Sequence, residues 1–309
     1  MKSILSFLTT ILPFYLLSGN PFIGSQAIVS TEFVYKLADV PFPSCHASTI
    51  VETDEGLVAA WFGGTHEKHP DVGIWISCFS DGKWSVPVEV ANGIQHGNLR
   101  YPTWNPVLFN YGDELFLFYK EGPNPREWWG EYITSSDNGK SWSRPYRLPE
   151  EIFGPIKNKP ELLENEVLIC PSSTEDDGWR VHMEFTSDRG KSWERTGPLN
   201  DGKSLGAIQP SILKHKNQVL QMVCRSRNKK ILTSWSYDQG RTWTSLEKTG
   251  LPIPNSGIDA VTLADGRHVV VYNHIIDTSP EWGKRNILNI AVSDDGINWK
   301  AAVLLENDA

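Results

Sequence analysis

The sequence of 309 residues has few cysteines, few methionines and no excess of positive charge. Its 29 lysine and arginine residues face 37 aspartate and glutamate residues, so the net charge is -8 at pH 7. Nucleic-acid binding needs a basic stripe, and because no such cluster occurs, we expect no nucleic-acid partner. Beyond the N-terminus, no segment longer than a few residues has helical periodicity. A predominantly helical protein is therefore not expected.

The N-terminal residues have the pattern of a secretory signal peptide. Lys2 precedes a short apolar run, and small residues follow that run up to Ala27. Because the run is short and contains Pro13, a membrane-spanning helix is not favoured. We expect residues 1–27 to be removed and residues 28–309 to form one domain, secreted or periplasmic, with no other contact to the membrane.

The four cysteines leave the question of disulfide bonds open. Each of them lies in or beside an apolar stretch; they are Cys45, Cys78, Cys170 and Cys224. Disulfide bonds would be compatible with an exported protein, and buried thiols would fit the apolar surroundings equally well.

The sequence is rich in tryptophan and contains a repeated phrase. The phrase reads SSDNGKSW, TSDRGKSW, SYDQGRTW and VSDDGINW, ending at Trp142, Trp193, Trp243 and Trp299, with a shorter copy, FSDGKW, ending at Trp84. The copies recur about every 50 to 60 residues, a period typical of β-propeller blades. Apolar strands such as GDELFLFYK and KNQVLQMVC precede the phrase, so each unit is predicted to be a four-stranded antiparallel blade.

The phrase itself has a structural explanation. Its aspartate can accept hydrogen bonds from its own turn, its glycine supplies a positive φ, and its tryptophan anchors the next strand. These copies resemble the Asp-box, also called the BNR repeat, of the sialidase (neuraminidase) superfamily. The resemblance implies an all-β β-propeller of the sialidase type, with about six blades of four antiparallel strands and an incomplete last blade.

Function is expected at the end of the propeller opposite the repeated phrases. Alternating strand directions place the start of each first strand and the end of each second strand on that side. These positions suit an anionic sugar, because guanidinium groups bind carboxylates through two hydrogen bonds and tryptophan faces stack on pyranose rings. The predicted substrate-binding residues are Arg225, Arg285, Gln209, Lys159, Asn105, Arg100, Trp128 and Asp259.

The sialidase resemblance implies roles for some residues and departs from the family at others. Arg225 and Arg285 fall where the family has its second and third carboxylate-binding arginines, and Asp71 falls in the first-blade loop that carries the acid/base aspartate. His46 stands where the family has its first arginine, and Gln209 stands where it has a glutamate. The terminal KAAVLLENDA offers no tyrosine nucleophile. Either the chain is truncated, or N-terminal residues in TEFVYKLADV close a smaller ring.

Without that tyrosine, Asp71 is predicted to be the general acid and His46 the base, and a two-carboxylate variant with Asp259 stays open. The expected function is a secreted exo-glycosidase that acts on a terminal acidic sugar. A polysaccharide lyase or another glycosidase on this scaffold, and a non-catalytic carbohydrate-binding propeller, are the alternatives. The HEKH segment at 66–69 lies in a loop and lacks the spacing of the helical zinc motif, so no metal or cofactor is predicted.

Overall fold

The structure is a computed structural model that describes residues 28–276 and 283–307. Within these ranges the chain forms five antiparallel sheets, which we call blades 1 to 5, and one separate hairpin. Short 3-10 turns occur at Leu37–Asp39 and Lys216–Gln218. The predicted signal peptide lies outside the described residues. None of the helices in the described ranges has the length and apolar character needed to cross a membrane.

The strands follow one another in order along the chain. Blade 1 contains β1 (Ser44–Thr53), β2 (Gly56–Gly64), β3 (Gly73–Ser80) and β4 (Lys83–Trp84), and β5 (Val88–Ala91) also pairs with β3. The hairpin consists of β6 (Gly93–His96) and β7 (Leu99–Tyr101). Blade 2 contains β8 (Thr103–Tyr111), β9 (Glu114–Glu121), β10 (Trp129–Ser135) and β11 (Tyr146–Arg147). Blade 3 contains β12 (Glu161–Leu162), β13 (Leu168–Thr174), β14 (Arg180–Thr186) and β15 (Glu194–Arg195). Blade 4 contains β16 (Ala207–Lys214), β17 (Leu220–Ser226), β18 (Lys230–Ser236) and β19 (Glu247–Pro252). Blade 5 contains β20 (Asp259–Thr262), β21 (His268–Tyr272), β22 (Ile287–Ser293) and β23 (Lys300–Asn307).

The blades pack against their sequence neighbours around the propeller. β1 contacts β8, β13 contacts β16, and β16 contacts β20, so the first or second strand of one blade lies next to the first strand of the following blade. The cores are shared between blades: Ile74 of blade 1 packs with Leu117 of blade 2, and Val223 of blade 4 packs with Val270 of blade 5. Alternating apolar residues on each strand supply both faces of these contacts. The predicted all-β propeller is confirmed.

The described residues form five blades, whereas about six were predicted. Each tryptophan phrase joins the third and fourth strands of one blade, from Trp84 in blade 1 to Trp299 in blade 5. Five phrases therefore correspond to five blades, and the expected sixth blade came from the family resemblance. The segment TEFVYKLADV, at residues 31–40, adds no strand to the ring. Instead, Tyr35 stacks on Trp61 with ring centroids 5.0 Å apart and covers a face of blade 1.

The Asp-box is held together by its own hydrogen bonds. In the blade 3 copy, Asp188 accepts hydrogen bonds from Oγ1 of Thr186 at 3.0 Å and from the backbone N and Oγ of Ser192 at 2.8 and 2.6 Å. The bonds from Ser192 contribute most to lowering the pKa of Asp188 to about 2. The indole of Trp193 donates to the carbonyl of Gly190 at 2.8 Å. All these partners lie within the turn, which confirms its role as scaffolding.

All four cysteines carry free thiols. Cys170 and Cys224 are buried in the shared cores of neighbouring blades, and burial raises the pKa of both thiols. The disulfide alternative is therefore not found in this structure.

Candidate functional site

In each blade, one residue near the start of the first strand, either within that strand or a few residues before it, adopts a left-handed backbone conformation. These residues are Ala47 (φ 52°), Asn105 (φ 43°), Lys157 (φ 70°), Gln209 (φ 55°) and Asn255 (φ 59°). In blades 1, 2 and 4 the strand register shifts at this residue, which marks a β-bulge. Such a backbone costs a non-glycine residue about 1 kcal/mol or more, and bulges re-aim side chains. Four of the five residues are polar, and they lie at the end of the propeller that we call the mouth.

Arg225 and Arg285 meet at Asn255 in this mouth. Arg225, on β17, donates from Nε to Oδ1 of Asn255 at 3.2 Å and from Nη1 to Oε1 of Gln209 at 3.3 Å. Arg285 donates from Nη2 to the backbone carbonyl of Asn255 at 3.1 Å. Burial, together with the charge of Arg285, lowers the pKa of Arg225 to about 10. Two guanidinium groups thus share a partly dehydrated region, in which a carboxylate would be bound strongly.

Two lysines of blade 3 add positive charge to the mouth. Lys157 donates from Nζ to Oδ1 of Asn158 at 3.0 Å and to the carbonyl of Ile258 at 2.9 Å. Burial lowers the pKa of Lys157 and of Lys159, and the negative charge of Asp259 opposes both shifts. The structure therefore brings the predicted Lys159 and Asp259 together with Lys157.

His46 lies among the charged groups of the mouth. Its ring stacks on Phe62 with the centroids 5.5 Å apart and the planes at 24°. Desolvation lowers the pKa of His46, the charges of Arg285 and Arg225 lower it further, and Glu67 opposes them. A lowered pKa keeps the imidazole neutral near pH 7, which is the state that a base needs.

Asp71 is held within its own loop. Its carboxylate accepts hydrogen bonds from the backbone N of Thr65 at 3.0 Å and from Oγ1 of Thr65 at 2.6 Å, and it lies 2.7 Å from Nδ1 of His69. Desolvation alone would raise the pKa of Asp71, but the hydrogen bonds from Thr65 and His69 lower it overall. The general-acid role of Asp71 stays a prediction, and a carboxyl group with a lowered pKa is poorly suited to it.

Sequence reasoning missed Glu175 and Trp179, which flank the loop between β13 and β14. The face of Trp179 is 5.1 Å from the guanidinium carbon of Arg225 and 4.1 Å from that of Arg227. Burial raises the pKa of Glu175, and the charge of Arg225 opposes the shift. Both residues lie in TEDDGW, just after the second strand of blade 3, which is a position where functional residues are expected.

Two of the predicted binding residues are occupied by structural contacts. Trp128 is 8% exposed and packs against Trp104 with ring centroids 5.9 Å apart, so its face is not available to a sugar. Arg100, on β7, donates to the carbonyl of Asp71 at 2.8 Å and pairs with Glu89 at 3.1 Å. Arg100 therefore ties the β6–β7 hairpin to the loop of Asp71.

The HEKH segment places His66 and His69 with their ring centroids 5.2 Å apart and at 75° to each other. His69 is engaged with Asp71. Within residues 28–276 and 283–307, no group of three or more His, Cys, Asp or Glu side chains is arranged to hold a metal ion.

Comparison with known proteins gives a family and a shared fold. The model of the BNR repeat-like domain matches residues 55–309. A search of curated proteins finds no match. Among solved structures, the Hadza microbial sialidase Hz136 superposes with a TM-score of 0.72 at 17% identity, over 89% of this chain and 61% of that one. A protein of unknown function from Dyadobacter fermentans DSM 18053 gives a TM-score of 0.68 at 16% identity, over 86% and 84%.

A third structure, the NanB sialidase from Streptococcus pneumoniae, gives a TM-score of 0.68 at 12% identity, over 95% of this chain and 64% of that one. The chain thus spans less than two thirds of the length of either sialidase. At these identities the likeness shows a shared fold. The family match, which covers most of the sequence, shows that the chain belongs to the BNR repeat-like domain family.

Proposed function

We propose that the protein is an exo-glycosidase that removes a terminal acidic sugar from a glycan or polysaccharide. The observation that carries the proposal is the meeting of Arg225 and Arg285 at Asn255. Paired guanidinium groups bind a carboxylate with several charge-assisted hydrogen bonds. The fold shared with sialidases gives the proposal further support.

The charge distribution of the mouth favours an anionic substrate. Lys157 and Lys159 lie on the same side of the propeller as Arg225, and the pKa of Lys157 is sensitive to the charge of Arg225. Grouped cations in a partly buried site raise the local concentration of anions and stabilise negative charge. For hydrolysis, His46 supplies a neutral imidazole as the base that activates water.

Turnover of matched glycosides tests the proposal. The substrates are glycosides that carry the same fluorescent leaving group. We expect the protein to release this group from the glycosides of N-acetylneuraminic acid or glucuronic acid, and not from the glucoside. Arg225→Met should abolish this turnover because it removes one of the paired guanidinium groups. Arg241→Met is the matched control, since Arg241 stacks on Phe185 at 4.2 Å and pairs with Glu194 at 2.6 Å at the Asp-box end.

Other outcomes point to the alternative functions. An unsaturated, ultraviolet-absorbing product from uronic-acid oligosaccharides would identify a lyase. Saturable binding of acidic oligosaccharides without turnover would identify a carbohydrate-binding propeller. Equal turnover of the neutral and acidic glycosides would contradict the anionic site.

We also propose that the protein is exported, on the basis of the residues up to Ala27. Mass spectrometry of the protein from its native culture is expected to show a mature chain that begins close to Ile28. An intact N-terminus in the cell-associated fraction would contradict export.

A further inference from the structure

Glu175 forms part of one packed unit with the arginines of the mouth. It directly follows β13, the second strand of blade 3, and lies on the same side of the propeller as Arg225, which is near the end of β17. Its carboxyl group accepts a hydrogen bond from the side chain of Trp179. Trp179 is 3% exposed and lies against the guanidinium groups of Arg225 and Arg227. The position of Glu175 is therefore fixed relative to Arg225 by direct packing.

Glu175 and Asp71 lie in opposite chemical environments. Asp71 receives two hydrogen bonds from Thr65 and lies beside His69, and these contacts favour its ionised form. Glu175 is half-buried beside Trp179, and this partial desolvation raises its pKa even though Arg225 is near. A carboxyl group whose pKa is raised can hold a proton near neutral pH, as a general acid must, whereas one whose pKa is lowered is ionised there. Of the two, Glu175 is the group suited to carry a proton.

We infer that Glu175 is the catalytic proton donor of the mouth, acting on the leaving group of the sugar held by Arg225. This inference rests on the proposed glycosidase function. The proton of Glu175 passes to the glycosidic oxygen as the bond from that oxygen to the anomeric carbon breaks, and the electron pair stays on the departing alcohol. Water adds to the anomeric carbon, and its proton passes to the imidazole of His46. One glycoside and one water thus give one free sugar and one alcohol, and both residues then exchange protons with solvent.

Leaving-group dependence distinguishes a proton donor from a structural residue. Two glycosides of the same acidic sugar are compared, one with a nitrophenol leaving group and one with a second sugar as the leaving group. A nitrophenolate departs without protonation, whereas a sugar alkoxide does not. Glu175→Gln should therefore lower kcat/KM for the sugar-linked substrate by about 100-fold or more, while the nitrophenyl substrate changes by less than about 10-fold. Asp71→Asn is the matched control and should show no such split.

A second variant tests the same assignment through pH. The hydrogen bond from Trp179 lowers the pKa of Glu175. The variant Trp179→Phe removes the N–H donor and keeps an aromatic ring. It should therefore move the decline of kcat/KM on the alkaline side of the pH profile to higher pH. Glu175→Gln should remove that decline.

The possible failures are distinguishable. If the wild-type protein hydrolyses both substrates but Glu175→Gln affects them equally, or Trp179→Phe leaves the alkaline decline in place, the assignment of Glu175 is overturned and the glycosidase remains. A leaving-group split in Asp71→Asn, and not in Glu175→Gln, would likewise transfer the role to Asp71. If the wild-type protein hydrolyses neither substrate, the proposed function fails and the proton donor fails with it.

Discussion

Two buried charged groups anchor the loop that leads to Lys157. Lys120, on β9, is 0% exposed and donates from Nζ to the carbonyl of Pro155 at 2.9 Å. Glu184, on β14, is also 0% exposed and accepts hydrogen bonds from the backbone N–H groups of residues 153 and 154 at 3.0 and 2.6 Å. Glu184→Leu removes the second anchor and leaves Lys120 in the core without its nearby carboxylate.

The size of the effect follows from these contacts. A hydrogen bond to a charged acceptor contributes about 1.5 to 3 kcal/mol, and a buried charge left without a compensating group of opposite charge costs about 3 to 5 kcal/mol. Burial lowers the pKa of Lys120 to about 7, so the amine can lose its proton, which limits the charge penalty. We therefore expect the free energy of unfolding to fall by about 3 to 5 kcal/mol at neutral pH.

Urea unfolding of Glu184→Leu and of the wild type, at neutral pH and near pH 9, measures this effect. Because the pKa of Lys120 is lower in the folded than in the unfolded chain, the unfolded chain binds more protons above pH 7, and this group makes the fold more stable as pH rises. Lys120 is mostly neutral near pH 9, so the penalty of the variant should shrink there. Glu194→Gln, in an exposed ion pair, is the control and should change stability by less than about 1 kcal/mol. A loss for Glu184→Leu below about 1 kcal/mol, or one that is independent of pH, would refute the reasoning.

Three further predictions concern pH, the scaffold and the anionic site. Burial, together with His215, lowers the pKa of His268 to about 4, so the unfolded chain binds more protons below about pH 6.5; stability should fall as pH drops from 6.5 to 4, and less so in His268→Asn, as followed by acid unfolding. Asp188→Ala should lower the melting temperature and leave kcat/KM unchanged, whereas lost turnover in a folded protein would give the Asp-box a role in chemistry. Arg225→Lys keeps the charge but loses the planar fork, so KM for an acidic glycoside should rise about 10-fold or more, and an unchanged KM would argue against carboxylate binding.

The fold could be predicted because its signal is local and repeated. Each Asp-box closes on itself through bonds such as those between Asp188 and Ser192, so a short window of sequence contains the whole unit. Trp193 and the corresponding tryptophans of the other copies then mark where the third and fourth strands of each blade are joined. The predicted number of about six blades came from the family resemblance. The five copies of the tryptophan phrase correspond to the five blades of the structure.

The site could be predicted only where strand ends identify it. Arg225 and Arg285 lie at such ends, and the structure brings them together at Asn255. Trp128 and Trp129 are adjacent, and only the observed strand shows that Trp128 packs inward. Because side chains alternate along a strand, a shift of one residue in the register would point Trp129 inward and Trp128 outward.

The environments of the carboxyl groups could not be predicted from the sequence. Whether Asp71 is held ionised depends on the fold of its loop around Thr65. The partial desolvation of Glu175 depends on Trp179 and on Arg225 from the next blade, about 50 residues further along the chain. Such contacts between blades arise only after the propeller has assembled.

The central claim is that the mouth around Arg225 and Arg285 binds the carboxylate of a sugar acid. The most direct test is calorimetric titration of the protein with an unsaturated sialic acid analogue and with the methyl ester of the same compound. The two ligands share their shape and differ in the charge that the paired guanidinium groups would hold. We predict that the acid binds at least about 30-fold more tightly than the ester. Equal affinities for the acid and the ester would contradict the account.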